Sequence, residues 1–292
     1  MRNFFFGCSL TQYFWPTWAD ILIKHFESSA NGTGYNWGKS GAGNQFIFTK
    51  IWEANSLYHF TEQDRIFVQW TSMFREDRYH EDNGWYCPGG FNHERFSPEP
   101  MKLNGFEYED ELQWADFLHC AMRDCALISS TRHALANIGC EVHFTGFRNF
   151  NEGYENYLEL PNSKILLVYE NLGAILEQYK EEIRLDLPPI LTALDFGIDN
   201  KFFKTRPRSV PKLGEAYKQH LLHEIHPLPN EQMKYVKDFV LDTIGESSLH
   251  PEAEKLVEQY QKLIDKEDPI ILENLKWANT YQMGFSDDGW RP

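Results

Sequence analysis

Residues 3–70 repeat one rhythm: a short apolar run, a glycine-containing loop, then a helix-length stretch with an apolar stripe. Asn3–Phe6 is apolar and stops at Gly7, which reads as a buried strand. Trp15, Trp18, Leu22 and Phe26 then recur at helical spacing, and Pro16 suits a first turn, so a helix is expected over about 16–26. Tyr35–Trp37 reads as a second strand, and Asn44–Tyr58 as a second helix with Phe46, Ile47, Ile51 and Ala54 facing inward. Arg65–Trp70 is the third strand. Strands that alternate with helices form a parallel sheet covered by those helices, so the class is α/β.

The rhythm breaks at Arg75–Tyr108, where prolines, glycines, charges and aromatics crowd together. This reads as a long insertion, and long ordered loops usually serve function. Asp110–Asn137 is expected to be a long helix ending near Gly139, and Glu141–Phe147 a fourth strand. Further on, Ile165–Tyr169 reads as a strand and Leu172–Ile183 as a helix. Lys212–Leu222 and Asn230–Leu241 read as helices flanking His223-Glu224-Ile225-His226-Pro227. Glu252–Asp265 is amphipathic, and the tail Trp277–Pro292 is aromatic without a clear period. The domain reading is one α/β unit over 1–242, with its insertion at 75–108, and a C-terminal helix and tail over 243–292.

Composition excludes several classes. With 292 residues, 42% hydrophobic and 24% charged, the chain has the material for a sizeable core and is not disordered. A net charge of −15 repels phosphate backbones, so no nucleic-acid partner is expected. No apolar run of about 18 residues occurs, so no membrane span is expected. Five cysteines without a CxxC pair point to free thiols in a reducing compartment and to no metal. The opening residues lack the apolar stretch of a secretory signal, so the reading is cytoplasmic synthesis, which a virion protein shares.

Three places carry candidate chemistry. Ser9 follows the first strand and precedes the first helix, at the sheet edge where open α/β folds bind ligands. Gly38-Lys39-Ser40-Gly41-Ala42-Gly43-Asn44 follows the second strand, and its small residues let backbone N–H groups approach an oxyanion. It lacks the glycine spacing of a nucleotide loop, so no cofactor is expected. His226 stands where Pro227 and Pro229 stiffen the backbone ahead of a helix, and a histidine there can work as a general base with Glu224 beside it. Taken singly, each also has a plain reading: a turn cap, a flexible strand-to-helix turn, a surface histidine pair.

Their order joins them. Gly7-Cys8-Ser9-Leu10-Thr11 resembles the opening block of the SGNH/GDSL hydrolases, Gly-Asp-Ser-Leu-Thr, with Cys8 in place of Asp. Asn36-Trp37-Gly38-Lys39-Ser40-Gly41 resembles the family's second block, and His226-Pro227 its last. The resemblance spans about residues 1–242. It implies a flavodoxin-like three-layer α/β/α sandwich and ester hydrolysis, with Ser9 as nucleophile, His226 as base and Gly41 N–H as an oxyanion donor. Two blocks depart from the pattern. The third, Val68–Arg75, has no Asn, which leaves Thr71 or Ser72 to donate and Arg75 to hold an anionic group. The last has His223 where the family has Asp, which leaves Glu224 as the acid or a Ser9–His226 dyad.

The expected substrate is an acyl ester, with a carbohydrate O-acetyl group as the best guess. Asn44 and the insertion's Trp85 are expected to contact it, because aromatic faces stack on sugar rings. The alternative is a protein of this fold that has lost catalysis and binds or builds, for example in a phage particle. The tail's Trp277, Tyr281, Phe285 and Trp290 are expected to dock on the chain's own body or on a second subunit.

Overall fold

The computed structural model describes residues 1–13, 15–73, 75, 77–80, 84–86, 112–150, 162–195 and 226–265. In chain order the elements are β1 (Arg2–Phe6), α1 (Trp18–Ser28), β2 (Thr33–Asn36), α2 (Asn44–Tyr58), β3 (Asp64–Trp70), β4 (Arg78–His80), β5 (Gly84–Tyr86), α3 (Leu112–Ile138), β6 (Glu141–Gly146), α4 (Asn162–Gln178) and α5 (Ile190–Ala193). Then come α6 (Pro229–Tyr235), a π-helical segment Val236–Val240, α7 (Leu241–Thr243) and α8 (Pro251–Asp265).

Four strands form one sheet in the order β2-β1-β3-β6. All three pairings are parallel, as the strand–helix rhythm requires. β1 lies inside the sheet, so its phenylalanines must be apolar on both faces. Phe5 stacks on Phe67 at 4.6 Å and meets Trp18 of α1 edge-on, while Phe4 points the other way to Tyr58 of α2 and Phe60. Period two in the strand thus feeds two helical layers. α1, α6 and α8 pack together on one face, and α2, α3 and α4 on the other. This is the three-layer α/β/α architecture.

Most expected elements sit within two or three residues of their places. The exceptions are Ile165–Tyr169, which belongs to helix α4 and not to a strand, and the helix expected over Leu172–Ile183, which runs Asn162–Gln178 instead. A short apolar run cannot by itself distinguish the two. What decides it is the continuation: Leu172, Ile175, Leu176 and Tyr179 meet the core at spacings of three and four. In the insertion, β4 and β5 form an antiparallel pair with Tyr79 opposite Trp85. Beyond residue 242, Ala253 and Val257 of α8 are buried in the same core as the sheet. Lys212–Leu222 and the tail Trp277–Pro292 lie outside the described residues.

Candidate active site

β1 ends at Phe6, and the next residues tighten into one helical turn in which Thr11 N–H and Gln12 N–H donate to Cys8 O at 2.9 and 3.0 Å. Ser9 rides on this turn and is 5% exposed. Gln69 of β3, wholly buried, holds the turn down. Its Oε1 accepts from Cys8 N–H at 3.0 Å and from Thr11 Oγ1–H at 3.3 Å, and lies 3.1 Å from Cys8 Sγ. Its Nε2–H donates to Trp70 O at 2.8 Å. Gly7 is required beneath the turn, because a Cβ there would lie 2.1 Å from Thr11 Oγ1 and 2.8 Å from Gln69 Oε1. Cys8, where the related block has Asp, is buried and packs into the core.

The histidine arrives from the far end of the chain. His226 Nε2 lies 2.6 Å from Ser9 Oγ, a contact between residues 217 positions apart. The segment that carries it is fastened on both sides. Trp15 Nε1–H donates to Pro227 O at 2.8 Å, and Trp18 N–H to Gln232 Oε1 at 3.2 Å. Glu231 Oε2 accepts from Leu228 N–H at 2.7 Å at the start of α6. Tyr13 stacks on the imidazole with ring centroids 3.8 Å apart and planes 18° from parallel, and Trp15 meets Tyr13 edge-on at 4.7 Å. Glu224 and His223 lie outside the described residues.

The loop after β2 forms the second wall. Asn36 is buried; its Nδ2–H group donates to Thr11 O at 2.8 Å and Asp20 Oδ1 at 2.9 Å, while its Oδ1 accepts from Gly38 N–H at 3.0 Å. The chain then turns over Lys39–Ala42, closed by Ala42 N–H to Lys39 O at 3.1 Å. Gly41 takes φ +82°, a conformation that side chains with a Cβ rarely adopt. Asp77 caps the helix that follows, accepting from Gly43 N–H at 2.8 Å and Phe46 N–H at 2.9 Å.

At the carboxyl end of β3, next to β1, stands Thr71. Its backbone is bracketed by Asn44, whose Oδ1 accepts from Thr71 N–H at 2.8 Å and whose Nδ2–H group donates to Thr71 O at 3.2 Å and Asp124 Oδ2 at 2.8 Å. The Thr71 hydroxyl is buried without a hydrogen-bond partner among the described residues. Such a group is costly unless something completes it. Ser72 follows it, half-buried. Asp124 of α3 is fully buried, and desolvation pushes its carboxyl up to about 7, against the pull of Arg123 and Asn44 and helped by Asp77.

The structure places the expected contact residues as follows. Asn44 has no exposed surface and both amide donors are engaged, so it braces the wall and cannot reach a ligand. Arg75 directs Nη1–H to Ala42 O at 2.9 Å and lies over the Phe147 ring at 5.3 Å, so it ties the loop after β2 to the end of β6. Trp85 is half-buried against Phe46 and Tyr79. Gln69, Tyr13, Trp15, Asp77 and Asp124 were not foreseeable as site residues, since each acts through a partner distant in sequence. Among the described residues, no group of His, Cys, Asp and Glu could hold a metal ion, and no helix is long and apolar enough to cross a membrane.

No family model and no curated protein matches the sequence. Solved structures do resemble it. One is a GDSL-like lipase from Bacteroides thetaiotaomicron, at 12% identity over 91% of this chain and 88% of that one, with a TM-score of 0.30. Another, from Parabacteroides merdae and described as GDSL-like, has 14% identity over 84% and 95%, with a TM-score of 0.37. A third is an acetyl xylan esterase, at 11% identity over 81% and 100%, with a TM-score of 0.31. The chain is thus similar, at long distance, to GDSL-like lipases and esterases, while the case for its chemistry stands on Ser9 and His226 themselves.

Proposed function

We propose that the protein is a serine esterase of the SGNH type. The observation that carries the reading is the 2.6 Å contact between Ser9 Oγ and His226 Nε2 at the carboxyl edge of a parallel sheet. In this reading Ser9 Oγ attacks the ester carbonyl while its proton passes to His226 Nε2. The oxyanion takes hydrogen bonds from Gly41 N–H and the Thr71 hydroxyl, which is unpartnered among the described residues, with Ser72 next in line. The imidazolium then protonates the leaving alcohol, and a water activated by His226 hydrolyses the acyl-enzyme. Glu224 is the acid we assign to orient the imidazole.

The substrate we favour is an O-acetylated carbohydrate. Its support is the Tyr79–Trp85 pair, whose rings meet at 5.5 Å with Tyr79 47% exposed, next to the capped start of α2. The test is labelling with a serine-directed phosphonate, together with hydrolysis of an acetylated chromogenic phenol and acetate release from acetylated sugars. The intact protein should be labelled at Ser9, and Ser9→Ala and His226→Gln should each abolish turnover. Turnover that survives in Ser9→Ala removes the hydrolase reading. No labelling and no turnover in the intact protein favours a binding or structural role for this fold.

A further inference from the structure

We propose that Tyr13 is a positioning residue for His226: its ring face sets the plane of the imidazole and favours the protonated form. The proposal rests on the serine-esterase reading for its role in catalysis, though not for its physical content.

The geometry is specific. Two neutral aromatic rings prefer an offset or edge-to-face arrangement with centroids about 4.5–7 Å apart. Tyr13 and His226 lie at 3.8 Å and 18°, nearly face to face with little room for offset. That arrangement suits a cation over the electron-rich face of a phenol ring. His226 becomes such a cation at the moment it takes the proton from Ser9 Oγ, 2.6 Å from its Nε2. Tyr13 is itself fixed. Trp15 meets it edge-on, and the same Trp15 donates to Pro227 O, one residue past the histidine. The loop between β1 and α1 therefore carries the nucleophile at Ser9 and the support of the base at Tyr13 and Trp15. A displacement of either end would move both partners together.

Several described groups lie around the imidazole. Ser9 faces it from the turn after β1, with Cys8 Sγ 4.0 Å behind the Ser9 hydroxyl, and Tyr13 faces it from the following loop. Tyr260 of α8 packs on the Tyr13–Trp15 cluster, and the Glu231 carboxylate of α6 accepts from Leu228 N–H, two residues beyond the histidine. Of these, the group in direct face contact is Tyr13.

The test is an NMR titration of the His226 imidazole in the Ser9→Ala protein, with its signal assigned by His226→Gln. This readout needs no turnover. Adding Tyr13→Leu should lower the His226 pKa by about half a unit, the size of a partly exposed cation–π contact. Tyr13→Phe keeps the face and should leave it unchanged. In the protein with Ser9 intact, the acid limb of kcat/KM should move down by the same amount in Tyr13→Leu and stay in place in Tyr13→Phe. An imidazole whose pKa does not move, or rises, in Tyr13→Leu overturns the proposal. If Tyr13→Leu does not fold, Tyr13→Trp decides, because indole is the stronger face and should hold or raise the pKa; a fall rejects it. Esterase activity persisting in Ser9→Ala would reject the esterase reading separately, with the titration still deciding what Tyr13 does to His226.

Discussion

Replacing Gln69 by leucine tests the account of how the nucleophile is held. Gln69 is wholly buried, and leucine, one heavy atom shorter and branched at Cγ, fills most but not all of its volume. What is lost is the acceptor for Cys8 N–H at 3.0 Å and Thr11 Oγ1–H at 3.3 Å. Trp70 O is not stranded, because Phe147 N–H also donates to it at 2.7 Å. One buried amide and one buried hydroxyl without partners should cost about 2–4 kcal/mol together. For a chain of this size that lowers Tm by about 3–7 °C. Thermal and urea melts followed by circular dichroism measure it, and esterase assays should show a fall in kcat as the Ser9 turn loosens. Gln69→Glu sharpens the test. A neutral carboxylic acid restores an acceptor toward Cys8 and a donor toward Trp70, whereas a carboxylate sets an anion against Trp70 O. The new group's folded pKa therefore lies above its unfolded value of about 4.3, and the variant should lose stability relative to the parent as pH rises above that value. A Gln69→Leu protein that melts with the parent, or a Gln69→Glu protein with no added pH dependence, would refute the reasoning.

Thr71→Val removes the buried unpartnered hydroxyl; stability should hold or rise in thermal melts, while kcat falls about 10²–10³-fold if the hydroxyl serves the oxyanion. Trp15→Phe deletes the bond to Pro227 O, which should cost about 1 kcal/mol in urea titrations and lower kcat with KM little changed. Asp124, raised to about 7 from 3.8 by burial, holds its proton in the folded state after the unfolded chain has lost it. Its contribution is therefore present below about pH 4 and is lost as pH rises toward about 7, so Asp124→Asn should flatten the pH dependence of stability across that window in paired urea melts.

The elements that could be read from the residues are those whose pattern is local. Phe4, Phe5 and Phe6 between polar neighbours mark a strand buried on both faces, and Phe46, Ile47, Ile51 and Ala54 mark a helix stripe; both appear where expected. Ser9 and His226 were legible because each stands beside backbone punctuation, Gly7 on one side and Pro227 on the other. Ile165–Tyr169 reads equally as a strand because five apolar residues satisfy both periods until the flanking turns are counted. Gln69 sits in a strand and looked like a strand residue. Nothing in its neighbours tells that its amide crosses to β1, since that follows from the register Phe6 to Val68. Asn44 looked available because the loop before it is small and polar; the side chain turned inward because Thr71 and Asp124, both remote in sequence, offered it three bonds.

The 217-residue separation between Ser9 and His226 also orders events during synthesis. β1, α1, β2 and α2 leave the ribosome early and can begin to assemble on their own close contacts. In the esterase reading, Ser9 is then in place but has no base. The base arrives only when the segment from His226 to α8 emerges and docks against α1 and the Trp15 cluster. In the esterase reading a nascent chain carries an inert serine for most of its translation, and reactivity switches on when that segment docks. Phosphonate labelling of ribosome-bound chains of increasing length would then clock the docking of the C-terminal helices.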